Sequence, residues 1–377
     1  MSASTNDFFS MPSEQSLIKA DIVSSYFGAW ANVIKSKWSH SIPIGYLDLF
    51  CGPGIYQDGT ESVPIRLIRT ILSDKELSSR MILAFNDEDP QNIESLRSAI
   101  ESIDTNKTLA GKIQYSISTV GDEFYKRIQA DCSIPIFSFV DPFGYKGLTR
   151  TLIQTLIQNN GSDCIFFFNY SRINMALSSN TKFDSYLAGI FGEERTAELK
   201  KKLEPLSAED REPVVIDTLI DALKETRAKS VLPFKFYRTD MHRTSHYIIF
   251  VSKNLLACRI MKNVMYNVSA KDSDGIASFE YHDQANFGDD YQQMGFFDTP
   301  FQILCNELLT NNSGKTVRVK DLCERYENSY TNRFVSKNVK DALNKLEDQE
   351  RLTVTGRKKM FVRGKKTMPD AALVTFK

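Results

Sequence analysis

The segment Tyr46-Leu47-Asp48-Leu49-Phe50-Cys51-Gly52-Pro53-Gly54 decides the fold that we predict for this chain of 377 residues. It begins as a short apolar strand, residues 45–50, and runs into a Gly-Pro-Gly turn. Glycine lacks a Cβ atom, so the backbone can turn sharply there and approach a ligand closely. A glycine turn directly after a strand is the context that nucleotide-binding loops require. The segment therefore predicts a nucleotide-binding loop at the end of a strand.

Apolar strands and helices alternate on both sides of this loop. Residues 14–37 carry apolar side chains at helical spacing and predict an amphipathic helix. Predicted strands at 45–50, 81–85, 112–118, 135–140 and 163–170 alternate with predicted helices at 64–72, 91–103, 123–130 and 148–158. This alternation is typical of an α/β, Rossmann-like parallel sheet covered on both faces. Its ligand crevice lies at the carboxyl ends of the strands.

The remaining segments predict four parts of the chain. Residues 1–12 read as a disordered leader, and residues 13–290 as one Rossmann-like domain with a charged helical insertion at about 171–230. We expect residues 246–251 and 277–281 to be antiparallel strands at one edge, with a helix at 255–266 between them. Residues 291–299 read as a linker, and residues 300–377 as a second domain.

Three features favour S-adenosylmethionine (SAM) over a dinucleotide as the ligand of the glycine loop. Gln57 replaces the third glycine of the dinucleotide motif, and Asp48 precedes the loop on its own strand, suited to an amino group. Pro53 fixes the turn where a pyrophosphate would need free backbone N–H groups. We therefore predict a SAM site that includes Asp48, Phe50, Gly52 and Gly54.

Acidic residues also follow the next two predicted strands. Asp87 and Glu88 could accept hydrogen bonds from ribose hydroxyls, and Asp122 could accept one from an adenine amino group. Asp48 could instead be a turn residue or helix cap, and Asp87 could cap the following helix. Acids at three successive strand ends favour the cofactor site over these separate structural roles.

The turn Asp141-Pro142-Phe143-Gly144 follows the fourth predicted strand. Amino-methylating enzymes carry an Asp/Asn-Pro-Pro-aromatic turn here, whose carboxylate and proline carbonyl orient a planar amino group while the aromatic ring stacks on the base. In this chain the second proline is missing and the aromatic residue comes one position early. Our candidate catalytic residues are Asp141, Pro142, Phe143 and Tyr145. A purely structural turn is the alternative, since Pro and Gly are common turn residues.

Three segments together resemble the three-Cys-motif partner (TcmP) family, which is similar to class I SAM-dependent methyltransferases. They are residues 19–30, 46–59 with the string GPGIYQDG, and 140–147 with the string DPFGYKG. The resemblance covers roughly residues 14–290 and departs from the family pattern at Cys51 and Ser62. It implies a methyltransferase-like fold, SAM as cofactor, and a three-cysteine, radical-SAM-like protein as a partner.

The C-terminal segment is basic, whereas the rest of the chain is acidic. Residues 300–377 hold 16 Lys and Arg against 9 Asp and Glu, although the whole chain has zero net charge. Three predicted helices, followed by short strands at 352–355 and 360–362 around a basic tip, are typical of a winged-helix domain. Its predicted contacts to DNA or RNA are Arg333, Lys337, Lys340, Arg357, Lys358 and Lys359. Protein contacts or dimerisation are the alternative use of this fold.

Composition limits the class of protein. Hydrophobic residues make up 42% and charged residues 25%, as in ordinary globular proteins. The six cysteines are scattered without a CxxC pair, which indicates a reducing compartment. We expect no metal site, because His242 and His246 lack a third ligand nearby in sequence. No apolar run resembles a signal peptide or membrane helix, so we expect a cytoplasmic protein without membrane contact.

Two functions fit these observations. The first is a SAM-dependent methyltransferase acting on an exocyclic amine of a nucleic acid, whose target base would be flipped out of a duplex. The second is a non-catalytic Rossmann-fold adaptor that works with a partner protein in a mobile-element or anti-phage bacterial defence cassette. The intact glycine loop favours the first function, and the altered Asp-Pro-Phe-Gly turn favours the second.

Overall fold

A computed structural model describes residues 14–120, 133–142, 147–178, 183–238, 243–282, 299–329, 331–357, 361–362 and 364–377. The chain forms two compact units, one ending at Val264 and one beginning at Met265. The predicted leader lies outside the described residues, as does the predicted linker apart from Thr299. The predicted domain bounds stay a prediction. Within the described ranges, no helix is long and apolar enough to cross a membrane.

The first unit alternates helices and strands. Its strands are β1 Ile44–Asp48, β2 Met81–Asp87, β3 Ile113–Ile117, β4 Ile136–Val140, β5 Asp163–Phe168, β6 Ser230–Arg238 and β7 Arg243–Ser252. Its helices are α1 Glu14–Lys37, α2 Val63–Leu72, α3 Lys75–Arg80, α4 Pro90–Ile103, α5 Arg150–Leu156, α6 Tyr170–Ser178, α7 Asp184–Phe191, α8 Glu193–Leu203 and α9 Ala208–Lys224. Helix α10, Leu255–Val268, runs across the boundary between the units.

These seven strands form one sheet in the order β3-β2-β1-β4-β5-β7-β6. Strands β1 to β5 are mutually parallel, and β7 is antiparallel to both of its neighbours, β5 and β6. This confirms the predicted Rossmann-like α/β sheet. The strand order reverses between β1 and β4, and a doubly wound sheet binds its ligands at that switch point. The carboxyl ends of β1 and β4, with Asp48 paired to Phe139 in register, therefore mark the expected crevice.

Aromatic packing fixes α1 against the sheet. Tyr26, Phe27 and Trp30 of α1 pack their rings on Phe137 of β4, with centroid separations of 5.5 to 6.0 Å. The Tyr26 hydroxyl donates to the buried Asp163 carboxylate at 2.6 Å, so its polar atom is satisfied inside the core. The amphipathic pattern of residues 14–37 is thus explained by burial of one face of α1.

The last strands differ from the prediction in one omission and one placement, whereas the antiparallel direction of 246–251 and the helix at 255–266 are confirmed. Residues 230–238 form strand β6, which we did not predict because Pro233 and Lys235 interrupt its apolar run. The predicted strand at 246–251 is part of β7, which lies between β5 and β6 rather than at an edge. The helices predicted for 171–230 are present as α6 to α9.

The second unit contains three helices and short strands. Its elements are β8 Glu280–His282, α11 Pro300–Asn312, β9 Thr316–Arg318, α12 Val319–Glu327, α13 Ser336–Asp348, β10 Leu352–Thr355, β11 Phe361–Val362, β12 Lys365–Lys366 and β13 Leu373–Phe376. Strand β13 pairs antiparallel with β10 and β9, and β11 pairs with β12. The predicted pairing of 352–355 with 360–362 is therefore wrong. The side chains of all three helices pack with those of β10 and β13 in one apolar core, and Val317 of β9 packs against it.

Candidate active site

The glycine turn after β1 depends on two left-handed residues. Gly52 and Gly54 have φ angles of 63° and 86°, a region that residues with a Cβ rarely adopt. A Cβ on Gly54 would lie 2.8 Å from the Leu96 Cδ1 atom and 3.3 Å from its Cα atom in α4. The Ser62 N–H donates to the Gly54 carbonyl at 2.8 Å and closes the loop. Ser62 therefore supports the turn although it departs from the family pattern.

Asp48 braces the start of this loop. It ends β1, is 1% exposed, and accepts hydrogen bonds from the Tyr46 hydroxyl at 2.9 Å and the Phe50 N–H at 3.2 Å. Burial raises the pKa of Asp48 to about 7, although these two hydrogen bonds lower it. The charges of Asp141 and Asp87 add to the rise.

Asp87 joins the ends of two loops. Its carboxylate accepts hydrogen bonds from the Gly52 N–H at 2.9 Å, the Asp89 N–H at 3.0 Å and the Asn92 side chain at 3.1 Å. The helix cap proposed as the alternative role is filled by Asp89, which accepts from the Gln91 N–H. A carboxylate has about four acceptor positions, so three donors leave one position for a further ligand.

The other predicted cofactor residues differ in exposure. Phe50 is half-buried next to the glycine turn, and Glu88 is exposed after β2. Asp122 lies outside the described residues, as do Phe143 and Tyr145 of the predicted catalytic set.

Asn86 is a site residue that our sequence reasoning missed. Its buried side chain donates to the Leu49 carbonyl at 3.1 Å and to the Ser118 carbonyl at 2.9 Å, and it accepts from the Ser118 hydroxyl at 2.8 Å. Its own carbonyl accepts from the Cys51 N–H at 3.0 Å. One amide thus ties the loops after β1 and β3 to the end of β2. A polar residue inside the apolar run of β2 was the available signal.

Asp141 follows β4 and forms an ion pair with Lys19 of α1. The Lys19 ammonium group also lies 5.2 Å from the centroid of the Phe167 ring, in cation–π range. Burial lowers the pKa of Lys19, but the charge and hydrogen bond of Asp141 raise it overall, so the lysine stays charged. Pro142 is buried beside the pair. The sequence did not predict this partner for Asp141.

An aromatic wall adjoins the Lys19–Asp141 pair. The His246 ring stacks on Phe236 at 4.4 Å between centroids and contacts Phe167 at 4.5 Å. Its Nδ1 atom shares a 2.7 Å hydrogen bond with the Ser245 hydroxyl. Burial, followed by the charge of Lys19, lowers the pKa of His246 to about 3. His246 is therefore neutral near pH 7 and acts here as an aromatic surface.

The predicted nucleic-acid contacts are paired inside the second unit. Arg357 binds the Glu347 carboxylate at 2.7 Å, Lys340 binds Asp370 at 2.7 Å and Lys337 binds Asp341 at 3.0 Å. Arg333 donates to the Ser278 carbonyl at 2.9 Å. Lys358 and Lys359 lie outside the described residues. Three of the four described cations are thus paired with acids, and Arg333 donates to a carbonyl.

Comparisons with known proteins give likenesses of structure alone. No family model and no curated protein matches the chain, so the TcmP resemblance stays a prediction. The chain is similar to the DszA carbon methyltransferase, with 11% identity, a TM-score of 0.40, and coverage of 64% of this chain and 56% of that one. It is also similar to Trm1 from Pyrococcus horikoshii, solved with S-adenosyl-L-methionine, at 14% identity, a TM-score of 0.33 and coverage of 73% and 64%.

A third similar structure is the methyltransferase domain of bacterial CtHen1, at 13% identity, a TM-score of 0.32, and coverage of 61% of this chain and 99% of that one. The chain thus spans less than two thirds of the length of DszA and of Trm1. The strand order, with an antiparallel β7 between β5 and β6, is that of a Rossmann-like α/β sheet with one antiparallel strand.

Proposed function

We propose that this protein is a SAM-dependent methyltransferase. The observation that carries the proposal is the glycine turn at the switch point of the sheet, with Asp48 and Asp87 at the two adjoining strand ends. SAM supplies an electrophilic methyl group when it is bound. These carboxylates fit this cofactor, because they accept hydrogen bonds from the amino group and the ribose hydroxyls that SAM presents.

In this proposal Asp48 receives the amino group of the methionine moiety. A nearby ammonium group favours the ionised carboxylate and so lowers the pKa of Asp48 from its raised value. Asp87 and Glu88 receive the ribose hydroxyls, and Asp122 receives the adenine amino group. Phe50, Gly52 and Gly54 shape the loop that surrounds the cofactor. The one acceptor position left on Asp87 supports this assignment.

We further propose an exocyclic amine of DNA or RNA as the methyl acceptor. Asp141 and the Pro142 carbonyl would accept the two N–H bonds of the amine and direct its lone pair at the methyl group. Phe143 or Tyr145 would stack on the base, and a base from a duplex would be flipped out. The position of Asp141 at the end of β4, near the glycine turn, supports this proposal.

The second unit is proposed to be a winged-helix domain that holds the nucleic acid. Its three helices followed by paired strands, and the excess of basic residues in 300–377, support this role. Among the described cations, Lys337 is an exposed candidate contact, with 62% of its side chain exposed.

Binding of a labelled duplex at several salt concentrations tests whether the second unit contacts nucleic acid. Lys337→Ala should reduce the slope of log affinity against log salt by about 1, because one phosphate contact is lost. Lys201→Ala, which removes a lysine of the first unit, should leave the slope unchanged. Binding that does not respond to salt would contradict nucleic-acid contact and favour a protein partner.

An adaptor function is the second candidate. The Lys19–Asp141 ion pair favours it, because the carboxylate that should orient the substrate is already engaged. The adaptor would work in a cytoplasmic complex of a mobile-element or anti-phage bacterial defence cassette, and the TcmP resemblance implies a three-cysteine, radical-SAM-like protein as its partner.

Two measurements separate these functions. Calorimetry with SAM and S-adenosylhomocysteine tests the cofactor, and transfer of a radiolabelled methyl group to total DNA and total RNA tests catalysis. Binding with transfer supports the methyltransferase. Tight binding of SAM without transfer to any nucleic acid supports the adaptor, and absence of binding contradicts the cofactor assignment.

A further inference from the structure

The Lys19–Asp141 pair places a hydrogen-bond donor beside an acceptor at the end of β4. A lysine ammonium group has three donors, of which one is directed at the Asp141 Oδ2 atom. No hydrogen bond from the residues that the structure describes reaches the Asp141 Oδ1 atom. The two side chains are 16% and 23% exposed, so neither is fully covered by the protein.

Lys19 is held where it is by more than Asp141. Its ammonium group lies over the Phe167 ring, and that ring packs on His246. The helix that carries Lys19 is anchored in the core by Tyr26 and Trp30. The donor and the acceptor thus come from two elements whose separation is fixed by core packing.

A hydrogen-bond donor beside an acceptor recognises the complementary pattern of acceptors and donors on the edge of a nucleobase. Asn and Gln use this combination to recognise the amino group and the adjacent ring nitrogen of adenine. Adenine and cytosine both present an amino group next to an unprotonated ring nitrogen on their pairing edge. Thymine and uracil lack the amino group and present a carbonyl oxygen instead.

We propose that Lys19 and Asp141 form one recognition unit for a nucleobase that carries an amino group next to an unprotonated ring nitrogen, as adenine and cytosine do. Asp141 accepts an N–H of the amino group, and Lys19 donates to the ring nitrogen. Lys19 is thus a specificity-determining residue, and its ion pair also keeps the Asp141 carboxylate in place. This inference rests on the proposed function, because it names the base whose amine would be methylated.

The test measures base preference by fluorescence anisotropy. Single-stranded homopolymers of A, C and T or U, as DNA and as RNA, are bound to the full chain with S-adenosylhomocysteine present. Salt is kept high enough to weaken phosphate contacts. We expect the A and C polymers to bind at least about tenfold more tightly than the T or U polymers, the scale of one two-point base contact. The DNA and RNA arms distinguish the two sources of the base.

Substitutions at Lys19 test whether the base preference depends on this residue. Lys19→Met removes the donor but keeps the apolar stem, and it should abolish the preference, while Lys19→Arg should retain part of it. Lys35→Met is the matched control, because Lys35 lies on the same helix and pairs with Asp74 away from the crevice. If Lys19→Met does not fold, Asp141→Ala removes the acceptor and should also abolish the preference.

The outcomes separate this inference from the proposed function. Absence of a preference in the wild type, or the same preference in Lys19→Met, overturns the recognition unit. Methyl transfer is measured in parallel on the same polymers. A preference without transfer supports the recognition unit and contradicts the methyltransferase, whereas transfer without a preference does the reverse.

Discussion

The carboxylates at the ends of β1 and β2 differ from the carboxylate after β4 in the groups that they bind. Asp48 and Asp87 accept hydrogen bonds from the backbone of the glycine loop and its neighbours. Asp141 pairs instead with Lys19, a side chain from a helix 122 positions earlier in the chain. A backbone contact is part of the fold, whereas a side-chain ion pair can exchange one partner for a ligand. The comparison indicates a rigid cofactor side and an adjustable substrate side within one crevice.

The largest effect is expected at the glycine loop. Gly52→Arg should abolish binding of SAM while the fold survives, because a side chain at a φ of 63° is strained and distorts the loop at the point where Gly52 donates to Asp87. Calorimetry and circular dichroism measure the two properties. Gly111→Arg is the control, since Gly111 has a φ of 73° in open space. Normal SAM binding by Gly52→Arg would refute the location of the cofactor.

Asp141→Ala should reduce the rate of methyl transfer by about 100-fold or more, because the reacting amine loses its positioning. Its affinity for SAM should change little, since the cofactor is assigned to the ends of β1 and β2. Single-turnover kinetics and calorimetry test both expectations. A loss of folding would show that Asp141 is a structural turn residue, and an unchanged rate would remove it from the catalytic set.

Affinity for SAM should rise with pH through the titration of Asp48. Its pKa of about 7 means that the carboxyl group is largely protonated below that pH, and a protonated group binds an ammonium poorly. Affinity should therefore rise by up to about tenfold per pH unit between about pH 5 and pH 7 and then level off. Asp48→Asn should flatten this profile. A wild-type profile as flat as that of the variant would contradict the assigned contact.

The raised pKa of Asp48 also determines whether the stability of the fold rises or falls with pH. The folded state binds a proton at Asp48 more tightly than the unfolded state, whose carboxyl group titrates near its ordinary value of 3.8. The contribution of Asp48 to the free energy of unfolding therefore falls as the pH rises from about 4 to about 7. Urea denaturation of wild type and Asp48→Asn without ligand should show this difference in slope.

A separate effect, on stability and not on binding or rate, is expected at Asn86. Asn86→Ala should lower the free energy of unfolding by about 3 kcal/mol, because the carbonyl groups of Leu49 and Ser118 lose a buried donor. Asn263→Ala is the control, since the exposed Asn263 side chain donates only to the Arg259 carbonyl one turn earlier. Urea denaturation compares the two variants. An equal loss of stability in both variants would show that the rigid cofactor side of the crevice does not depend on Asn86.

Local patterns predicted the rigid side of the crevice well. The glycine turn and its acids lie next to apolar strands in the sequence, so spacing alone places them at strand ends. Partners that are distant in the chain were missed. Lys19 reaches Asp141 only because aromatic packing holds α1 on the sheet, and β10 pairs with β13 rather than with the segment that follows it. Strand β6 was missed because Pro233 and Lys235 break its pattern.

Helix α1 carries core residues and a site residue at once, which limits how the crevice can open. Tyr26, Phe27 and Trp30 are buried, so lifting the whole helix would expose several aromatic rings to water. Lys19 lies one turn before Ile22 on the same helix, and its ion pair with Asp141 holds this part of α1 at the end of β4. A ligand that enters the crevice must therefore fit beside α1, because the helix cannot move away without exposing its aromatic anchor.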